Sequence, residues 1–197
     1  MSRREPEWAM VTVAFVDIRG FTSFADRSTA REAVEYLNEF FAAAVPVVVE
    51  HGGYVNKLLG DGFLAVFDAR DHAEGALVAA GGLLAAVAGR WRIGVGVNSG
   101  LVLVGTIGGG GLSELGVIGD PVNVAARVQD ATRELGEPLL VTEATRLLLE
   151  EEHPELAPRG ALSLKGKAKP IAVYGLAQDS VTLSGRRARR KELGWQL

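Results

Sequence analysis

A chain of 197 residues with 48% hydrophobic and 23% charged residues has a globular composition, and at about 150 residues per domain it accommodates one domain with short tails. It contains no cysteine, which excludes a disulfide scaffold and a thiolate metal site and fits a reducing compartment, so a cytoplasmic location is expected. The formal charge of −3 is unevenly spread: residues 158–197 carry nine Lys/Arg against two acids, and residues 1–157 carry twelve against twenty-two.

The opening MSRREPEW lacks the apolar run of a signal peptide, so no segment is expected to be removed. The charge-free, Ala/Leu-rich stretch over residues 75–89 contains four glycines and falls short of the roughly 20 residues a membrane helix needs; no membrane span is expected. The basic cluster of Arg186, Arg187, Arg189, Arg190 and Lys191 lacks interleaved aromatics and follows the expected domain end. It reads as a solvated tail without a nucleic-acid partner. The organisation expected is a lead over 1–8, one domain over 9–176 and a basic tail over 177–197.

Residues 9–17, AMVTVAFVD, are β-branched and apolar and predict a buried strand that breaks at Arg19-Gly20. After Ser28, apolar residues at Val34, Leu37, Phe41, Ala44 and Val48 keep helical spacing. Thr29 and Glu32 form a capping box, Gly52-Gly53 closes the helix, and Pro46 predicts a kink in its last turns. Residues 54–59 and 63–67 flank Gly60-Asp61-Gly62 and predict a hairpin with Asp61 at its tip. An Ala/Leu-rich helix follows over 71–89, weakened by Gly81-Gly82, then two strands, 91–97 and 101–107, around a turn at Asn98-Ser99-Gly100. The glycines at 108–111 predict a flexible loop. Without a following Gly-Lys-Ser/Thr they form no P-loop, and their spacing gives no dinucleotide fingerprint.

A short strand at 114–118 leads to Asp120-Pro121, read as an N-cap and the first position of a helix reaching towards Gly136. A strand at 139–141, a helix over 142–151 and strands at 162–164 and 171–174 complete the domain, with Lys165, Lys167 and Lys169 placed at a strand. The order predicts an α+β fold, a ferredoxin-like βαββαβ palm with added strands and helices, its helices packed on one face of the sheet.

In such a sheet the strand carrying Asp17 neighbours the hairpin strand after Asp61, which brings two carboxylates to one edge. Oxygen ligands without His or Cys suit Mg²⁺ or Mn²⁺, which take their remaining ligands from water and phosphate; two solvated turn aspartates are the simpler alternative. Beyond Asp17, the segment Ile18-Arg19-Gly20-Phe21-Thr22 supplies a glycine turn whose amides can hold phosphate oxygens. Asn123 and Arg127, four apart, share one helix face, and an Arg fork matches phosphate, although for the pair in isolation a solvated face is the favoured reading. His51, His72 and His153 fall in turns or at helix ends and are read as solvated.

Together FVDIRGFT, NKLLGDGFLAVF, VIGDPVNVAARV and LKGKAKPIAVYGL resemble, in order, the four blocks of the class III nucleotide cyclase catalytic domain, across nearly the whole chain. The resemblance implies a homodimer with two composite sites that converts ATP to 3′,5′-cyclic AMP and pyrophosphate with two metal ions per site. It assigns Asp17, Ile18 and Asp61 to the metals, Lys57 to the adenine ring, and Asn123 and Arg127 to the transition state. Lys165 falls on the triphosphate, as do the residues Gly20, Phe21 and Thr22. The aspartates come from one protomer and Lys57, Asn123, Arg127 and Lys165 from its partner.

The chain departs from the pattern at Gly116, where the family commonly places an Asp or Thr as a second contact to the base; relaxed ATP-over-GTP selectivity is therefore expected. An arginine that some members use on phosphate matches Gly94, with Arg92 as a substitute. Two rivals stay open. One is a diguanylate cyclase, whose palm carries a similar hairpin but against which the Asn123/Arg127 helix speaks; the other is a weakly catalytic nucleotide-binding dimerisation module.

Overall fold

A computed structural model of the chain describes residues 5–150 and 152–177; the basic cluster expected to be a solvated tail lies outside the described residues. Strand β1 (Glu7–Ile18) runs through the middle of the sheet, burying Ala14, Val16 and Ile18 on one face and Val11 and Val13 on the other. Gly20 ends it in the left-handed region at φ 78 and opens the five-residue α1 (Phe21–Ala25). In α2 (Ala30–Glu50) the capping box forms as the sequence predicts: the Glu32 amide donates to Thr29 Oγ1, and the Thr29 amide donates to the Glu32 carboxylate at 2.7 Å. The helix continues through Pro46 to Glu50.

Strands β2 (Gly53–Leu59) and β3 (Gly62–Phe67) form the expected hairpin around Gly60-Asp61, and α3 (His72–Ala86) follows. The glycines that weaken α3 as an isolated helix serve its packing. A Cβ on Gly75 would lie 2.7 Å from the His51 carbonyl oxygen, and one on Gly82 would lie 2.9 Å from Val47 Cγ1.

The turn expected at Asn98-Ser99-Gly100 is absent: β4 (Ile93–Gly109) is one strand of 17 residues. These polar side chains are satisfied sideways instead of by a local turn. Asn98 Nδ2 donates to the Pro121 carbonyl at 2.9 Å and Asn98 Oδ1 accepts from Thr142 at 2.7 Å. Ser99 Oγ lies 2.6 Å from the Thr12 hydroxyl and 2.9 Å from that of Thr145. Nor are the glycines at 108–111 a flexible loop. Gly110 and Gly111 adopt φ 62 and 89 and close a tight hairpin to β5 (Leu112–Ile118).

Helix α4 (Asp120–Glu134) is capped by Gly119 rather than Asp120, whose carboxylate pairs with Lys167. After β6 (Leu139–Thr142) the helix expected to 151 lasts one turn, α5 (Glu143–Arg146), beyond which Leu149 packs back against the core. Strand β7 (Leu156–Leu162) pairs with β8 (Ile171–Leu176) and stops at Leu162. Lys165, Lys167 and Lys169 therefore lie in the connecting loop and not at a strand.

The sheet order is β2-β3-β1-β4-β6-β8-β7, with β5 also on β4, so β1 to β4 make the ferredoxin-like palm and β5 to β8 extend it. The expectation of helices on one face holds for α2 and α3, which enclose Phe40, Phe63, Phe67, Leu77 and Leu83, but fails for α4. Burying each such side chain contributes about 1.5–3 kcal/mol. Helix α4 covers the opposite face through Ala125, Val124 and Val128. Its backbone approaches so closely that a Cβ on Gly96 would lie 2.2 Å from the Gln129 amide nitrogen. Among the described residues no helix is long and apolar enough to cross a membrane.

Candidate active site

The β1–β3 register sets Asp17 opposite Gly62, and the Ile18 amide donates to the Asp61 carbonyl at 3.3 Å. Gly62 makes the crossing possible, since a Cβ there would meet the Val16 carbonyl oxygen at 2.2 Å. Burial, then the neighbouring charge of Asp61, push the Asp17 carboxyl up to about 6; Arg133, 3.8 Å from Asp17 Oδ2, pulls in the opposite direction and does not prevail. Two partly buried acids that repel each other fit a hard divalent cation. Among the described residues no group of three or more His, Cys, Asp or Glu forms a cage. The donor set is thus that of an ion which keeps water and phosphate ligands, with Asp17, Asp61 and the main chain of Ile18, whose side chain is buried, available to hold it.

Gly20, Phe21 and Thr22 follow directly on this edge. Phe21 stacks on Tyr36 with ring centroids 6.1 Å apart, anchoring the turn, while Thr22 is exposed. Beside Asp17 opens a cleft of ≈ 180 Å³ lined also by Arg19, Gln129 and Arg133. Arg19 is committed to the fold: it donates to the carbonyls of Ile93, Thr132 and Glu137 at 3.2, 2.9 and 2.6 Å. The structure also explains Gly94. A Cβ there would lie 2.4 Å from Thr132 Oγ1, so α4 fills the space an arginine would need, while Arg92 on the same strand end is exposed.

On α4, Asn123 is exposed and Arg127 donates to the Lys165 carbonyl, which clamps the β7–β8 loop to the helix. Lys165 itself is exposed at that clamp. Lys57 is turned by a bulge at Asn56. The β2–β3 register runs Tyr54↔Val66 and Val55↔Ala65, then jumps to Lys57↔Leu64, so Lys57 emerges on the face of Leu64 that β5 covers. There its ammonium meets Glu114 at 2.7 Å, and Asn56 Nδ2 donates to the Leu115 carbonyl at 2.8 Å.

The chain thus brings Asp17 to Asp61, Arg127 to Lys165, and Lys57 to the strand of Gly116. Lys57, Asn123, Arg127 and Lys165 are not among the residues lining the cleft at Asp17. Sequence reading missed Arg133 and Glu114. The signal for Arg133 is its spacing of four from Gln129, which puts both on one face of α4; Glu114 needed the bulge, which no local pattern announces.

The histidines are a further correction. His153, read as solvated, has a side chain only 4% exposed, held by Glu155 at 2.8 Å and Glu74 at 3.0 Å. Burial alone would lower its pKa, but those hydrogen bonds and charges outweigh it and raise the pKa. His72 lies 2.6 Å from the Thr12 hydroxyl, and burial lowers its pKa. Both tie α3 to the rest of the domain.

A family model for the adenylate and guanylate cyclase catalytic domain matches residues 4–178. The chain belongs to this family. Among curated relatives, this cyclase domain is 30% identical to an adenylate cyclase of Anabaena cylindrica, over 83% of the chain and 36% of that protein. It is 28% identical to the terminal-differentiation specific adenylate cyclase of Dictyostelium discoideum, over 94% of the chain and 9% of that protein. The cyclase domain therefore spans about a third or less of the curated relatives it matches. Its fold superposes on the adenylyl cyclase CyaB from P. aeruginosa with a TM-score of 0.78 at 24% identity, covering 89% of this chain and 97% of that one. On the guanylyl cyclase Cya2 the TM-score is 0.77 at 23% identity, covering 92% and 100%.

Proposed function

We propose that this nucleotide cyclase domain is an adenylate cyclase, converting ATP to 3′,5′-cyclic AMP and pyrophosphate at two composite sites of a homodimer. The observation that carries the reading is the juxtaposition of Asp17 and Asp61: burial, and then the charge of Asp61, hold the Asp17 carboxyl up at about 6, an arrangement that a cation would compensate.

Asp17 and Asp61, with the Ile18 main chain, would hold Mg²⁺ or Mn²⁺, two ions per site. Such an ion would supply Lewis-acid chemistry there, lowering the pKa of the ribose 3′-hydroxyl and neutralising the triphosphate. The reaction forms the O3′–Pα bond, breaks the bond from Pα to the bridging oxygen and releases the hydroxyl proton. Arg127 and Lys165 offset the charge that grows on the phosphate oxygens, Asn123 orients the ribose, and the Gly20-Phe21-Thr22 turn receives phosphate oxygens through its amides. Catalysis is positioning and electrostatics, with no protein nucleophile. Lys57 reads adenine, donating to a ring nitrogen.

The separation of Lys57, Asn123, Arg127 and Lys165 from the Asp17 cleft supports a site completed by a second copy. So do exposed apolar side chains on β2 and β5, with Leu58 56% and Leu112 81% exposed. Incubating purified protein with Mn²⁺ and either ATP or GTP, then separating the products, tests the reading. Cyclic AMP with turnover is the expected result. Nucleotide binding without any cyclic product would leave the non-catalytic dimerisation module, and cyclic GMP as the main product would leave a guanylate cyclase.

A further inference from the structure

The base subsite of the proposed cyclase has one side chain too few if Lys57 and position 116 are considered alone. Gly116 is buried, and a Cβ there would lie 1.9 Å from Ile107 Cδ1 and 2.5 Å from Ile107 Cγ1, so Ile107 already fills the space of the missing side chain. The register partner of Ile107 across the β4–β5 hairpin is Glu114. Glu114 stands two residues before Gly116 and hence on the same face of β5. Its Oε1 is 2.7 Å from Lys57 Nζ, and the two side chains are 56% and 44% exposed, so a planar base can reach both. The hydrogen bond from Asn56 to the Leu115 carbonyl fixes β2 against β5 between them.

We propose that Glu114 is the second base-reading residue of this chain, taking over from position 116 and forming with Lys57 a charged pair that selects adenine. This rests on the adenylate cyclase reading above. Adenine presents an acceptor, N1, beside a donor, the N6 amino group; guanine presents the reverse, an N1–H donor beside the O6 acceptor. The Lys57 ammonium only donates and the Glu114 carboxylate only accepts. The pair therefore satisfies adenine at both atoms. Guanine in the same pose sets O6 against the carboxylate and N1–H against the ammonium, leaving two polar clashes. Lys57 by itself would accept either base, since it can donate to adenine N1 or to guanine O6. Strong discrimination thus falls to Glu114, and the relaxed selectivity that Gly116 suggests does not follow.

The test compares kcat/KM for ATP, GTP and inosine triphosphate in the parent, Glu114→Gln and Glu114→Ala, each with a thermal melt. Inosine triphosphate carries the 6-oxo and N1–H edge of guanine without its 2-amino group, so it isolates that edge. Glu114→Gln keeps the length but can turn its amide to donate to O6; the ATP-to-GTP ratio is expected to fall at least tenfold, through a lower KM for GTP and for inosine triphosphate together. Glu114→Ala is expected to raise KM for ATP severalfold with kcat little changed. Folded variants that keep the parent's ratio, or that reject GTP more strongly, overturn the assignment of Glu114 while leaving the cyclase reading standing. A parent that cyclises neither ATP nor GTP overturns both.

Discussion

Asp17 sits beside Asp61, and the charge of that neighbour adds to burial in pushing the Asp17 carboxyl up to about 6. The backbone enforces this, because the Ile18 amide is bonded to the Asp61 carbonyl and Gly62 gives the strands room to meet. Asp17→Ala and Asp61→Ala should each reduce turnover by at least a hundredfold while the thermal melt stays cooperative. On the proposed reading each would remove a metal ligand at the strand ends and not a core contact. Near-parental cyclisation by a folded Asp61→Ala protein would remove these acids from the mechanism.

Burial of Asp17, together with the neighbouring charge of Asp61, also predicts a pH dependence. A carboxyl whose pKa rises from 3.8 unfolded to about 6 folded binds its proton more tightly in the native state. That stabilisation is complete below pH 3.8 and is lost as pH climbs through about 6. In metal-free buffer, Asp17→Asn should therefore melt higher than the parent at pH 7.5, with the gap closing towards pH 4. Mn²⁺ at pH 7.5 should raise the parent's Tm and leave that of Asp17→Asn nearly unchanged. Equal melting of the two proteins at pH 7.5 without metal would contradict the cost of ionising Asp17 in the fold.

Much of this was legible before any coordinates, and the failures share a physical origin. Asp17 at a strand end and Asp61 at a hairpin tip could be placed because strand, capping box and glycine turn are all local signals. Asn98-Ser99-Gly100 reads as a turn by composition, yet its side chains bond to Thr12, Pro121, Thr142 and Thr145 from four other elements. His153 reads as solvated because Glu74, 79 residues away, completes its site. The facing of Lys57 depends on the Asn56 bulge, which moves a side chain to the other face without changing any residue type. Local pattern sees the elements; these three features are set by tertiary partners.

At Gly116 the structure predicts that a side chain cannot simply be restored. Gly116→Thr should lower Tm by several degrees, because its Cβ would collide with Ile107, and overpacking of this kind typically costs about 1–3 kcal/mol. Gly116→Thr combined with Ile107→Ala should recover most of that loss, since Ile107 is 41% exposed and its removal opens the slot. Melts of the two single variants and the double variant check this by the non-additivity of their effects. A fully stable Gly116→Thr single variant would show that Ile107 moves aside freely.

The central claim is that Asp17 and Asp61 act together with the Asn123, Arg127, Lys57 and Lys165 of a second copy. The most direct measurement mixes two inactive proteins, Asp17→Ala and Arg127→Ala, under conditions where subunit exchange is shown independently. With free exchange about half the dimers are mixed, and each closes one intact site around its two-fold axis, so activity should return to roughly a quarter of the parent's. Exchange without any recovery would mean that the acids and Arg127 serve within one chain, and the composite site would be wrong.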